Sequence, residues 1–138
     1  MSSLTKYLLD TSVYTQPLRH MPVMSALQRW DDVGDDRCVI SIVCRAETEW
    51  GLYKSPDLRR NQRYEHLIRE RLAVLQTDAA CWKIFSSMKA RQAHLGKIVG
   101  DLDLLIAATA RQHDCIVATL NCSDFSKIEG IRWEDWSV

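Results

Sequence analysis

Four short apolar runs, spaced so that helix-length segments separate most of them, constrain this chain more than any other feature. They are Tyr7-Leu8-Leu9, Cys38-Val39-Ile40-Ser41, Ala73-Val74-Leu75 and Cys115-Ile116-Val117-Ala118. Each is too short for a helix and lacks the polar alternation of a half-exposed strand, so each suits a strand buried on both faces of a parallel sheet. The alternation of such strands with helices predicts an α/β fold of three layers, with a central parallel sheet of about five strands between two helical layers. Ile131-Arg132-Trp133 supplies the fifth strand at an edge, with Trp133 and Trp136 closing over the core or a partner.

The intervening segments carry start and stop signals. Pro22 opens a helix over about 23–32, and an acidic turn follows at 31–36. Ser41 stands at the N-cap of a helix running through Ala46, Glu47, Glu49, Trp50 and Leu52. Asp57 caps a helix over about 58–72, which carries Arg59, Arg60, Arg63, Arg69 and Arg71 and is the most basic surface in the chain. Asp78 opens a helix that ends at Gly96. Asp101 is placed to cap a last long helix, over about 101–113, with Leu102, Leu105, Ile106 and Thr109 on one face.

Composition narrows the function classes. The 138 residues suit one domain, 1–138, and 46% of them are hydrophobic, enough for a proper core. Lys plus Arg and Asp plus Glu balance at 18 each, so nucleic-acid binding would rest on a local patch rather than on net charge. No apolar run approaches the ~20 residues of a membrane span, and no basic segment with a long apolar core marks a secretory leader. The five cysteines are scattered without a C-x-x-C pair, and the four histidines show no ligand spacing. They read as reduced thiols in a cytoplasmic protein, with neither a disulfide framework nor a zinc site.

Acidic residues recur where strands end or helices begin. Asp10 closes the first apolar run, Glu47 or Glu49 lies one to two turns into the second helix, Asp103 sits in the first turn of the last long helix, and Asp124 lies in the loop after the fourth strand. Glu47 and Glu49 are two residues apart, about 200° around a helix, so only one can face a shared site. In a parallel α/β sheet these positions gather at the carboxyl edge of the strands, where ligands bind. Carboxylates brought together repel and raise one another's pKa values. A hard divalent cation, Mg²⁺ with Mn²⁺ as substitute, resolves that repulsion through oxygen ligands and can activate a water for in-line attack on a phosphodiester. Ser12, Thr119 and Asn121 are neutral helpers that could orient a carboxylate or a bound water.

At these residues the chain resembles the PIN-domain family, and within it the VapC-type toxin ribonucleases of bacterial toxin–antitoxin pairs. Tyr7-Leu8-Leu9-Asp10-Thr11-Ser12-Val13 resembles the opening strand and first acid of the family. The stretch from Ile40 to Gly51 is similar to the second motif, an Ala-Glu pair followed by an aromatic-Gly pair, and that match selects Glu47. Gly100-Asp101-Leu102-Asp103-Leu104-Leu105-Ile106-Ala107-Ala108 resembles the third motif and selects Asp103. Thr119-Leu120-Asn121-Cys122-Ser123-Asp124-Phe125 resembles the last motif, with Leu120 and Asn121 departing from its usual residues, so the fourth position lies between Asn121 and Asp124. The resemblance implies a metal-dependent endoribonuclease acting on tRNA or other structured RNA, a homodimer, and a cognate VapB-like DNA-binding antitoxin that inserts a segment near the acids. From charge, the Arg-rich segment after Asp57 is a candidate flank for RNA or for an acidic antitoxin tail. The competing expectations are a catalytically silent PIN-like binding module and a solitary processing nuclease for RNA or DNA. An aspartyl-phosphate enzyme on a similar sheet would want a second Asp where Ser12 stands.

Overall fold

The computed structural model describes residues 5–138. Five strands form one parallel sheet: β1 (Tyr7–Leu9), β2 (Cys38–Ser41), β3 (Ala73–Leu75), β4 (Ile116–Thr119) and β5 (Arg132–Asp135), in the order β3-β2-β1-β4-β5. The chain steps outward from β1 through β2 to β3, then returns to the other side of β1 for β4. The order therefore reverses between β1 and β4, and such a reversal opens a crevice at the carboxyl ends of the two strands.

The two-residue period of the strands divides the core between two faces. Leu9, Ile40 and Ala118 point to one layer, where they pack with Tyr14, Trp30, Cys44, Tyr64 and Trp136. Leu8, Val39 and Val117 point to the other, against Cys81, Met88, Leu104, Ile106 and Phe125. The first layer is built by α1 (Thr11–Tyr14), α2 (Met24–Val33), α3 (Ile42–Lys54) and α4 (Leu58–Arg63), the second by α5 (Ala79–Leu95), α6 (Asp101–Gln112) and α7 (Cys122–Phe125). This is the expected three-layer α/β architecture. None of its helices, among the described residues, is long and apolar enough to cross a membrane. All five cysteines are free.

Three local expectations are corrected. The helix expected over 58–72 breaks at Tyr64 into a π turn, Tyr64–Ile68, in which the Arg69 N–H reaches back five residues to the Tyr64 carbonyl at 2.8 Å. Tyr64, Ile68 and Leu72 are spaced four apart and all three are buried, the first two within the wider turn and Leu72 beyond it. The N-cap of α6 is Gly100, not Asp101. The cap needs extended backbone, which Gly100 adopts; Asp101 is already helical and turns its carboxylate to Lys89 at 2.9 Å. Finally, β4 is shifted one residue, Ile116–Thr119 rather than 115–118, so a hydroxyl-bearing residue ends the strand.

Candidate active site

Asp10 follows β1 directly and is the N-cap of α1, its Oδ1 accepting the Val13 N–H at 3.1 Å. The same oxygen accepts the Ser12 hydroxyl at 2.6 Å, and Oδ2 accepts the Thr119 hydroxyl at 2.5 Å. Each hydroxyl is itself an acceptor for the loop after β4: Ser12 Oγ takes the Leu120 N–H at 2.9 Å and Thr119 Oγ1 takes the Asn121 N–H at 2.7 Å. Two hydroxyls thus clamp the carboxylate between the ends of β1 and β4, at the point where the strand order reverses. Asp10 is buried, and burial pushes its carboxyl above the usual range while the hydroxyls of Ser12 and Thr119 and the Val13 N–H pull it back down.

Ser41 starts α3 by accepting the Val43 N–H at 3.1 Å, and this fixes the phase of the glutamates that follow. Glu47 faces the site, where its Oε1 accepts the Thr11 hydroxyl at 2.7 Å. Glu49 points the other way, to the Tyr64 hydroxyl at 2.6 Å and Arg69 at 3.5 Å. The half-turn separation expected from helical geometry thus sorts the two into a site residue and a structural one.

Asp103 occupies the third position of α6, half-buried, and among the described residues no hydrogen-bond donor reaches its carboxylate. It is pushed up to about 6, first by burial and then by the negative charges of Glu47, Asp10 and Asp124. The four acids that lie scattered along the sequence therefore feel one another in space. Asp124 lies in α7 and accepts the Asn121 side-chain N–H at 2.8 Å, with Lys127 at 3.8 Å. Asn121 and Asp124, which sequence left as alternatives, are thus hydrogen-bonded to each other, Asn121 orienting Asp124.

The donor set is all oxygen, which suits a hard divalent cation. Among the described residues no three acids, histidines or cysteines cage an ion directly. That arrangement still fits Mg²⁺, which keeps several waters and is held by one or two carboxylates. The thiols offer no competing nucleophile: burial pushes that of Cys38 up to about 12, and those of Cys44 and Cys115 upward too.

Two cavities flank Glu47 and share it and Trp50 as a wall. One, about 460 Å³, runs from Thr11 and Glu47 past Arg19, His20 and Arg60. The other, about 500 Å³ and mostly apolar, is lined by Ile42, Val43, Ala46 and Leu102. Leu102, which shares a helix face with Leu105, Ile106 and Thr109, is half-exposed there, while the residues from Leu104 to Ala110 fill the core. This second cavity joins residues of α3 and α6 that no sequence spacing links.

Asp10, Glu47, Asp103 and Asp124 thus gather at the switch point of a parallel sheet, an arrangement of acids on an α/β domain that defines a class of fold and site. The model of the PIN domain matches residues 7–131, and the chain belongs to the PIN-domain family. The tRNA(fMet)-specific endonuclease VapC of Shigella flexneri is 32% identical over 96% of this chain and 98% of its own length. Ribonuclease VapC2 of Haemophilus influenzae is 30% identical over 95% and 98%. Among solved structures, DNA-bound VapBC from Salmonella typhimurium superposes with a TM-score of 0.83 at 31% identity, covering 96% of this chain and 99% of the matched one.

Proposed function

We infer that this chain is the toxin of a VapBC-type pair: an endoribonuclease that hydrolyses RNA phosphodiesters in the cytoplasm, with residues 1–138 acting as one domain. The observation that carries this reading is the gathering of Asp10, Glu47 and Asp124 around Asp103, whose carboxyl is pushed up to about 6 first by burial and then by those three charges. That surplus of negative charge is what a divalent cation, Mg²⁺ or Mn²⁺, would neutralise, with Asp103 and Glu47 as the carboxylates free to hold it and Asp10 and Asp124 completing the field.

When bound, the ion would acidify a coordinated water and stabilise charge building on the phosphate. The side chains do the rest. Ser12 and Thr119 hold Asp10 in one rotamer by donating to both its oxygens, and these bonds oppose the upward push of burial on its carboxyl. Thr11 fixes Glu47, and Asn121 fixes Asp124. Asp103 alone carries no donor, so its oxygens are free to accept a proton from the attacking water.

The likeness to VapBC complexes supports a VapB-like DNA-binding antitoxin as the partner. The apolar cavity beside Glu47 is the place we assign to the inhibiting segment of that partner, and the exposed Trp50 and Tyr53 on the same helix fit a homodimer or partner contact. tRNA is the substrate we expect, in line with the tRNA(fMet) specificity of the relative in Shigella flexneri.

The test is cleavage of total cellular RNA by the pure, antitoxin-free protein with Mg²⁺ or Mn²⁺, beside Asp103→Asn and Asp10→Asn. Discrete metal-dependent fragments that vanish in both variants are expected. A folded wild type that neither cleaves nor binds metal would leave a silent binding module as the reading. Fragments made equally in the presence of EDTA would remove the metal from the mechanism.

A further inference from the structure

The arginines are not evenly employed. Arg29, Arg45, Arg69, Arg71, Arg91 and Arg132 each pair with a carboxylate. Arg71 also lies over the Trp30 ring at 4.3 Å, so the C-terminal arginines of the basic segment are committed to structure. Arg19, Arg37, Arg59, Arg60, Arg63 and Arg111 make no salt bridge among the described residues. Four of these, Arg19, Arg59, Arg60 and Arg63, line one groove.

That groove is continuous with the acid site. The cavity that begins at Glu47 shares Leu18, Arg19, His20 and Arg60 with a neighbouring cavity of about 310 Å³, which extends to Arg59 and Arg63. The only carboxylate in the outer cavity is Asp57, and it is engaged in capping α4, where it accepts the Arg60 N–H at 3.0 Å. The helix that presents these arginines buries none of its residues from Leu58 to Arg63, so its side chains are spent on no packing. It is anchored by the π turn behind it and by Arg63, which donates to the Pro17 carbonyl at 3.2 Å.

Resting on the nuclease reading above, we propose that Arg19, Arg59, Arg60 and Arg63 form a phosphate track that leads the backbone of single-stranded RNA away from the scissile position, along one side of Glu47. Unpaired guanidinium groups in a cleft are matched to phosphate oxygens in fork geometry. Paired arginines elsewhere on a chain of zero net charge provide no such field. These four are positioning residues: they hold substrate and touch no reacting atom, so they act on KM and leave kcat largely alone.

The test uses the full chain in an Asp103→Asn background, so that RNA is bound and not cut, with a fluorescein-labelled 20-nucleotide mixed-sequence single-stranded RNA as probe. Anisotropy is read across a range of salt. Single strands lose ~0.7 in log–log salt slope per phosphate contact removed, so the triple variant Arg59→Gln/Arg60→Gln/Arg63→Gln should flatten the slope by about 2 and bind on the order of a hundredfold more weakly at 0.1 M salt. Arg37→Gln/Arg91→Gln/Arg132→Gln removes the same charge elsewhere and should keep the wild-type slope. Arg63 has a structural contact, so Arg59→Gln/Arg60→Gln is measured as well, and Arg59→Lys/Arg60→Lys should restore most of the slope. Cleavage is followed in parallel with Asp103 intact. Metal-dependent cleavage by the wild type, with unchanged slope and KM in the triple variant, overturns the track and leaves the nuclease standing. A wild type that neither cuts nor binds RNA overturns the nuclease reading and the track with it. If the triple variant loses affinity for an acidic 20-residue peptide and not for RNA, the groove belongs to a protein tail and the track is refuted.

Discussion

Asp103→Asn separates what this residue does for the fold from what it does for chemistry. The substitution keeps the shape of the side chain and removes its charge. In the metal-free protein Asp103 is pushed from 3.8 to about 6 by burial and by three neighbouring acids. At ~1.36 kcal/mol per pKa unit that rise sets a ceiling of about 3 kcal/mol on the cost of keeping Asp103 ionised in the folded state. The group is only half-buried and solvent screens it, so a gain of ~1–2 kcal/mol is the working value for the variant at pH 8. For a chain of this size that is a melting temperature higher by roughly 3–8 °C. The sign with pH follows from linkage. A carboxyl raised in the folded state adds stability that is fully present below its unfolded value near 4 and lost as pH rises through about 6. The advantage of the variant over wild type should therefore be absent at pH 4, grow between pH 4 and 6, and level off above. Saturating Mg²⁺ should stabilise the wild type and close the gap, because only the wild type binds the ion strongly. Scanning calorimetry in EDTA and in Mg²⁺, from pH 4 to 8, measures all of this. A variant no more stable than wild type at pH 8 in EDTA, or a difference that does not change with pH, would refute the claim that the four acids crowd one another.

The two glutamates of α3 should part company: Glu47→Gln should abolish RNA cleavage with little effect on melting, whereas Glu49→Gln should retain cleavage and lower stability by ~1 kcal/mol through its lost contacts with Tyr64 and Arg69. Thr119→Val leaves Asp10 Oδ2 and the Asn121 N–H without their buried partner, so we expect a loss of ~1–3 kcal/mol in denaturant titration together with at least tenfold slower cleavage; a variant that cuts normally would show that the clamp does not position Asp10. Trp136→Ala should cost ~3–5 kcal/mol, since the indole is fully buried against Tyr7; near-wild-type unfolding would mean that the segment after β5 contributes little to the core.

The sheet was legible because its strands are short, apolar and separated by helices with clear caps. Ser41, Asp57, Asp78 and Gly96 all cap as their residue types suggest. The π turn at Tyr64 was not legible, because its signal is the four-residue spacing of Tyr64, Ile68 and Leu72 among five charged or polar residues, and that spacing also suits an ordinary helix. The cap of α6 was misplaced because both Gly100 and Asp101 suit the position, and only backbone geometry decides between them. The acids announced themselves by where they stand relative to strand ends. What distinguishes them, the hydroxyl clamp on Asp10 against the bare carboxylate of Asp103, arises from contacts between segments far apart in sequence. The same holds for the groove, where Arg19 and Arg60 meet only because the turn after α1 packs beside α4.

That distance along the chain ties the first strand to the fourth. The two hydroxyl bridges that fix Asp10 span 109 and 108 residues if traced from Asp10 to Thr119 and from Ser12 to Leu120. Asp10 is synthesised long before Thr119 and Leu120, so neither bridge can form until β4 exists. The clamp on Asp10 closes only when β4 lies beside β1, so parting those two central strands would take the Thr119 hydroxyl from Asp10 and the Leu120 N–H from Ser12 together.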